Sequence, residues 1–125
     1  MSKKETPLTR RYWEEISGTL IEEFLAVPKG KNNSQRLIDG VILLGEDKKI
    51  VKWDQVIIEN KDIIILQTKA NRLGMYLMGQ ALFSIELMKK FNPRSIRSVM
   101  ICTKDDEVMR NIAEKFGLEI KIYEQ

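Results

Sequence analysis

Residues 62–69, DIIILQTK, carry four consecutive aliphatic side chains, Ile63, Ile64, Ile65 and Leu66, and then turn polar. As a strand, such a run has no polar face and needs cover on both sides, which restricts the chain to layered α/β arrangements. The segment that follows, RLGMYLMGQALFSIELMKKF at 72–91, is rich in long unbranched apolar side chains and alanine, as a buried helix is. Asn92 and Pro93 stop it. The stripe of Met75, Met78 and Met88 reads as core.

The other elements are placed around this pair. Residues 1–7 are polar, end in Pro7 and are expected to fray. Trp13, Ile16, Leu20, Phe24 and Val27 recur at three- and four-residue intervals, so the spacing predicts one amphipathic helix over 8–27, closed by Pro28 and Gly30. RLIDGVILLG (36–45), IVKWDQVII (50–58) and 62–69 read as three strands of a meander. SIRSVMICT is a fourth strand, KDDEVMRNIAEKFG a helix, and LEIKIYE a last strand. The predicted order is α-β-β-β-α-β-α-β: a single α/β domain over 1–125, with a mixed central sheet flanked by helices.

Composition removes most catalytic chemistries. The 125 residues include no histidine, which excludes Ser-His-Asp triads, histidine bases and nearly all transition-metal sites. Cys102 is alone, so there is no disulfide framework, and it reads as a small buried hydrophobe. Carboxylate, lysine and hard-metal chemistry remain. No apolar stretch is long enough for a membrane span or a secretory signal, so a cytoplasmic protein is expected. The net charge is +3, but residues 60–100 hold seven basic side chains against two acids, a distribution compatible with a polyanion.

Asp39 lies between Leu37, Ile38, Val41 and Ile42, where an unpaired charge would cost several kcal/mol, so it needs a hydrogen-bond network, a counter-charge or a metal ion. Gln67 and Lys69 are two residues apart on one strand and so share a face. Each has an ordinary explanation: Lys69 as a strand-end lysine reaching water, Asp39 as a structural partner of Arg36 or Lys69. Their joint placement is what suggests a site.

An aspartate in the first strand, the pair Gln67 and Lys69 at the end of the third, and an apolar helix after it resemble the PD-(D/E)XK nuclease superfamily over about residues 8–103. That resemblance implies a restriction-endonuclease-like core and metal-dependent hydrolysis of DNA phosphodiester bonds, with structure-specific cleavage compatible with so short a chain and DNA favoured over RNA. It also implies Mg2+ or Mn2+ held by Asp39, Gln67, the Thr68 carbonyl and a glutamate of the first helix, with Lys69 acting on water and phosphate. Helical projection sets Glu23 at the border of the apolar face and Glu22 toward water, so Glu23 is the expected helix ligand. Gln67 replaces the acid usual in the family. The alternative is therefore a nuclease-fold module that binds nucleic acid without cutting it, or a subunit of a DNA-processing complex. Gln80 resembles the helix glutamine of RecB-like members. Arg72 and Tyr76, expected on the first turns of the same helix, and Lys29, Lys31 and Arg36 before the first strand, are the candidate nucleic-acid contacts. A homodimer or a protein partner is compatible with this reading; a membrane is not.

Overall fold

The computed structural model describes residues 2–125. Helix α1 (Glu5–Ile16) is followed by strands β1 (Thr19–Val27), β2 (Arg36–Leu43) and β3 (Lys49–Val51), a 3-10 turn at Trp53–Gln55, strand β4 (Asp62–Arg72), helix α2 (Met75–Lys89), strand β5 (Ser95–Lys104), helix α3 (Glu107–Lys115) and strand β6 (Glu119–Ile122). The six strands form one sheet in the order β3-β1-β2-β4-β5-β6. β1–β2 and β2–β4 are antiparallel; β1–β3, β4–β5 and β5–β6 are parallel. The expected α/β class, mixed sheet and flanking helices are present.

Three expectations need correction. The helix predicted over 8–27 is a helix and a strand. Ser17 and Gly18, with φ of 73° and 87°, reverse the chain after Ile16, and residues 19–27 then run extended. Helix α1 starts at Glu5, three residues ahead of the predicted start. The strand predicted over 50–58 shrinks to Lys49–Val51, an edge strand parallel to β1 that gives way to the 3-10 turn. The antiparallel meander is consequently β1–β2–β4, one strand earlier than expected, and the order gains a strand.

The aliphatic run is covered on both faces. Ile64 and Leu66 pack with Leu20, Ile42, Val99 and Ile101 beneath Leu8, Tyr12 and Trp13 of α1. Ile63 and Ile65 join Ile21, Phe24, Val41 and Met88 on the α2 side. Leu77 and Ala81 of α2, Met100 and Cys102 of β5 and Ala113 of α3 extend that layer. All four residues of the run are fully buried, which at about 2–3 kcal/mol each makes β4 the strand around which both layers assemble. Helix α2 is less buried than its composition implies, because Met75, Tyr76 and Phe83 face outward.

At the opposite end of β4 from its polar residues, the Asp62 carboxylate accepts hydrogen bonds from the Arg94 guanidinium and from Ser95 Oγ at 2.7 Å. These bonds hold the Asp62 carboxyl at about 2, against an ordinary value of 3.8. A carboxyl made more acidic by folding contributes stability above its unfolded pKa and loses it as pH falls through the folded one. Asp62→Asn is therefore expected to lower the urea midpoint slightly at pH 7 and to converge on the parent as pH drops from 3.8 to about 2. A constant gap between the two curves would show that the pair is not linked to folding.

Candidate functional site at the polar end of β4

The β2–β4 ladder runs from Leu43 opposite Ile63 to Gly40 opposite Leu66 and stops there. One residue further, a side chain takes over from the backbone: Asp39 Oδ2 accepts the Thr68 N–H at 2.9 Å. Gly40 makes room beside it: a Cβ there would lie 3.2 Å from a Leu66 methyl and 3.3 Å from the Thr9 methyl, so both side chains would have to give by a few tenths of an ångström. That Thr9 also pairs with Thr68, the two buried hydroxyl oxygens being 2.7 Å apart. Thr68 is thus pinned through its amide by β2 and through its hydroxyl by α1, which fixes the Asp39 carboxylate in turn.

Across the sheet, Glu22 pairs with Gly40 and Phe24 with Ile38, which sets Glu23 beside Asp39. Glu23 has φ of 51°, and the inside-outside alternation of β1 slips there. Leu20 packs toward α1, whereas Phe24 and Ala26 pack toward α2. The expected placement of the two glutamates on a helix, with Glu23 bordering the core and Glu22 toward water, is therefore corrected. Glu23 lies on a strand and is exposed, while Glu22 is half-buried and accepts a bidentate ion pair from Arg10 of α1, at 2.9 and 3.0 Å.

The glutamate that the first helix does bring to this place is Glu5. Ser2, three residues ahead of the helix, and Glu5, its first residue, bond reciprocally in the pattern of a capping box, the Ser2 N–H reaching the Glu5 carboxylate and the Glu5 N–H reaching Ser2 Oγ, each at 3.3 Å. Burial works to raise the Glu5 carboxyl. Its bonds with Ser2, a bond from the Ala70 backbone and the charge of Lys69 outweigh that and hold it low. Asp39 shows the opposite balance. Burial pushes its carboxyl up, the Thr68 hydrogen bond opposes this, and the charges of Glu5 and Glu23 push it up further. Asp39 therefore feels the charges of Glu5 and Glu23 at the end of β4, and Glu5 feels that of Lys69.

Gln67 and Lys69 share the α2 face, as their spacing predicts. The Gln67 amide, 3% exposed, donates from Nε2 to Ser84 Oγ at 2.8 Å, and Lys69 Nζ lies 5.7 Å from the centre of the Tyr76 ring. Arg36, Gln67, Tyr76, Gln80 and Phe83 line a groove of about 670 Å3 between the start of β2 and α2. Arg72 is corrected: it ends β4 rather than opening α2, and its guanidinium donates to the Asp105 carbonyl at 2.7 Å. Lys29 and Lys31 are exposed in the loop before β2, outside this groove. Among the described residues, no three of the Asp, Glu and Cys side chains are grouped closely enough to hold a metal by themselves. No helix of the described residues is long and apolar enough to cross a membrane.

Three contributors escaped the sequence reading. Glu5 had a signal, the Ser2-x-x-Glu5 spacing of a capping box, which places a helix start ahead of Pro7. Thr9 and Ser84 had none, since a hydroxyl on an apolar helix face announces no partner. Compared with family models, with curated proteins and with solved structures, the chain matches none.

Proposed function

We propose that the chain is a metal-dependent nuclease of restriction-endonuclease-like fold, hydrolysing DNA phosphodiester bonds at the polar end of β4. The observation that carries this reading is the half-buried Asp39 carboxylate, held on the Thr68 N–H at 2.9 Å where the β2–β4 ladder ends, with Glu23 beside it across the sheet and Gln67 and Lys69 on the neighbouring strand. Like charges gathered at a half-buried point favour a cation there. The succession α1, antiparallel β1–β2–β4, α2 and parallel β5 supports the fold reading, with Asp39 on the middle strand of the meander and Gln67 and Lys69 on its third.

The donors are all oxygen, the chemistry that Mg2+ or Mn2+ takes. Asp39 would hold the ion with the Thr68 carbonyl, the Gln67 amide oxygen and one or both of Glu5 and Glu23. When bound, such a cation polarises the phosphate and acidifies water. The remaining work falls to the chain. Thr9 and Thr68 keep Asp39 in place, and Lys69 supplies a positive charge to a phosphate oxygen and a hydrogen-bond donor to the attacking water. Water adds to phosphorus, one ester P–O bond breaks, and the products are a phosphomonoester and an alcohol.

The test is incubation of the purified chain with end-labelled single-stranded, duplex and branched DNA, and with RNA, in Mg2+, Mn2+ or EDTA. Fragments are expected with DNA in either metal and none in EDTA. Intact substrates in every metal lane would refute the reading. A second reading, binding without hydrolysis, is favoured by the tie of the Gln67 amide to Ser84 in place of a second strand-borne acid. Its mark would be salt-sensitive association that EDTA leaves unchanged.

A further inference from the structure

Helix α2 exposes aromatic and apolar side chains beside the proposed site. Met75, Tyr76 and Phe83 are 77%, 71% and 68% exposed. Tyr76, Gly79, Gln80 and Phe83 follow the i, i+3, i+4, i+7 spacing of a single helix face. Gly79 opens a notch between the two rings, since a Cβ built there meets no atom within 4 Å. Leu37, Met75 and Leu87 add apolar lining, the Gln67 amide and Ser84 hydroxyl lie buried and bonded to each other in the floor, the Gln80 amide stands beside the notch and Arg36 on the wall. No acidic residue lines it.

We infer that this groove takes an unpaired nucleobase of the substrate, so that the chain acts on single-stranded or locally opened DNA. The inference deepens the nuclease reading and rests on it for the identity of the ligand as nucleic acid. Aromatic rings about a notch give a base flat surfaces to stack on, and the Gln80 amide on the same helix face offers a donor and an acceptor to its edge. The volume falls within the roughly 300–1,000 Å3 of pockets that hold small organic molecules. A wall cation with no opposing acid suits the phosphates flanking the base, and Lys69, near Tyr76, follows Thr68, whose N–H bonds Asp39 of β2. A second protein copy fits less well. An isologous pairing of two such grooves would set Arg36 against Arg36 with no acidic lining to offset the charge.

The test measures binding without metal, by fluorescence anisotropy, of a labelled twelve-residue oligothymidylate, the same strand with abasic sites, and a matched duplex. Tyr76→Ala, Phe83→Ala and Gly79→Leu are compared with the parent chain. The parent should prefer the thymidylate strand over both controls by about tenfold, a loss consistent with stacking of one or two bases. Each variant should lose that preference. Gly79→Leu fills the notch while improving helix propensity, so its loss cannot be laid to unfolding, which the thermal midpoint checks. Equal affinity for the abasic strand, or unchanged preference in the three variants, would overturn the inference. So would a dimeric parent that Phe83→Ala makes monomeric, because the face would then belong to a second copy. Cleavage without base preference would defeat this inference and leave the nuclease reading standing; base preference without cleavage in any metal would do the reverse.

Discussion

Asp39→Asn is expected to lower metal-dependent cleavage on the order of 10²- to 10³-fold, and Lys69→Met by a similar factor, through different steps. The asparagine keeps an oxygen that can accept the Thr68 N–H, so β2 and β4 stay joined while the charge goes. Its deficit should shrink as Mn2+ is raised, because what it lacks is attraction for the cation. Lys69→Met keeps an unbranched apolar stem near Tyr76 and removes the ammonium. Its deficit should persist at saturating metal. The pH dependence supplies a further check. Burial and the charges of Glu5 and Glu23 raise the Asp39 carboxyl, so the folded chain binds that proton more tightly than the unfolded chain does. Stability without metal should therefore fall as pH rises above 3.8 and through the raised value, while metal-induced stabilisation grows over the same interval. In Asp39→Asn both slopes should flatten. Unaltered cleavage in both variants would move the chemistry elsewhere in the molecule.

The parts of the fold that were legible in the sequence are those whose burial follows a single period. Ile63 to Leu66 are covered on both sides, so their continuous apolar pattern reports a central strand directly. The sharing of one face by Gln67 and Lys69 followed from the period of two along β4. Residues 19–27 misled because the strand does not keep that period. The left-handed backbone at Glu23 shifts the alternation, and Leu20, Phe24 and Val27 fall at helical intervals although they lie on a strand. Asp39 stood out because it is charged among aliphatic residues. Glu5 was hidden in a segment expected to fray, and Glu23 was picked out by a helical projection although it lies beside Asp39 on a strand, because the helix ends at Ile16. Composition alone overstated the burial of α2, for nothing in an apolar helix distinguishes a face that meets the sheet from one left open.

Gly18→Ala tests the same boundary and should destabilise the fold by roughly 3 kcal/mol, the sum of a left-handed backbone penalty and a clash. Gly18 has φ of 87°, and a Cβ there would lie 2.5 Å from the Leu43 carbonyl oxygen and 3.2 Å from an Ile42 methyl. The first of these is backbone held in the β1–β2 ladder, where Thr19 pairs with Leu43, so it cannot rotate aside as a side chain would. The Gly18 carbonyl is also fixed, accepting from Trp13 Nε1 at 2.7 Å, and the Ser17 N–H bonds the Trp13 carbonyl at 2.6 Å. The turn thus ties the end of α1 to the start of β1, and any shift that relieves the clash loosens Trp13 in the core. At about 4 °C per kcal/mol for a domain of this size, the midpoint should fall by about 12 °C. Gly79→Ala is the matched comparison: it lies inside α2 with open space around it, so the same change should raise stability by about 0.5–1 kcal/mol. Differential scanning calorimetry of the two variants should therefore show shifts of opposite sign. A Gly18→Ala midpoint at or above the parent's would mean that residues 17 and 18 do not reverse the chain, and that β1, with Glu23 on it, is not where the site needs it.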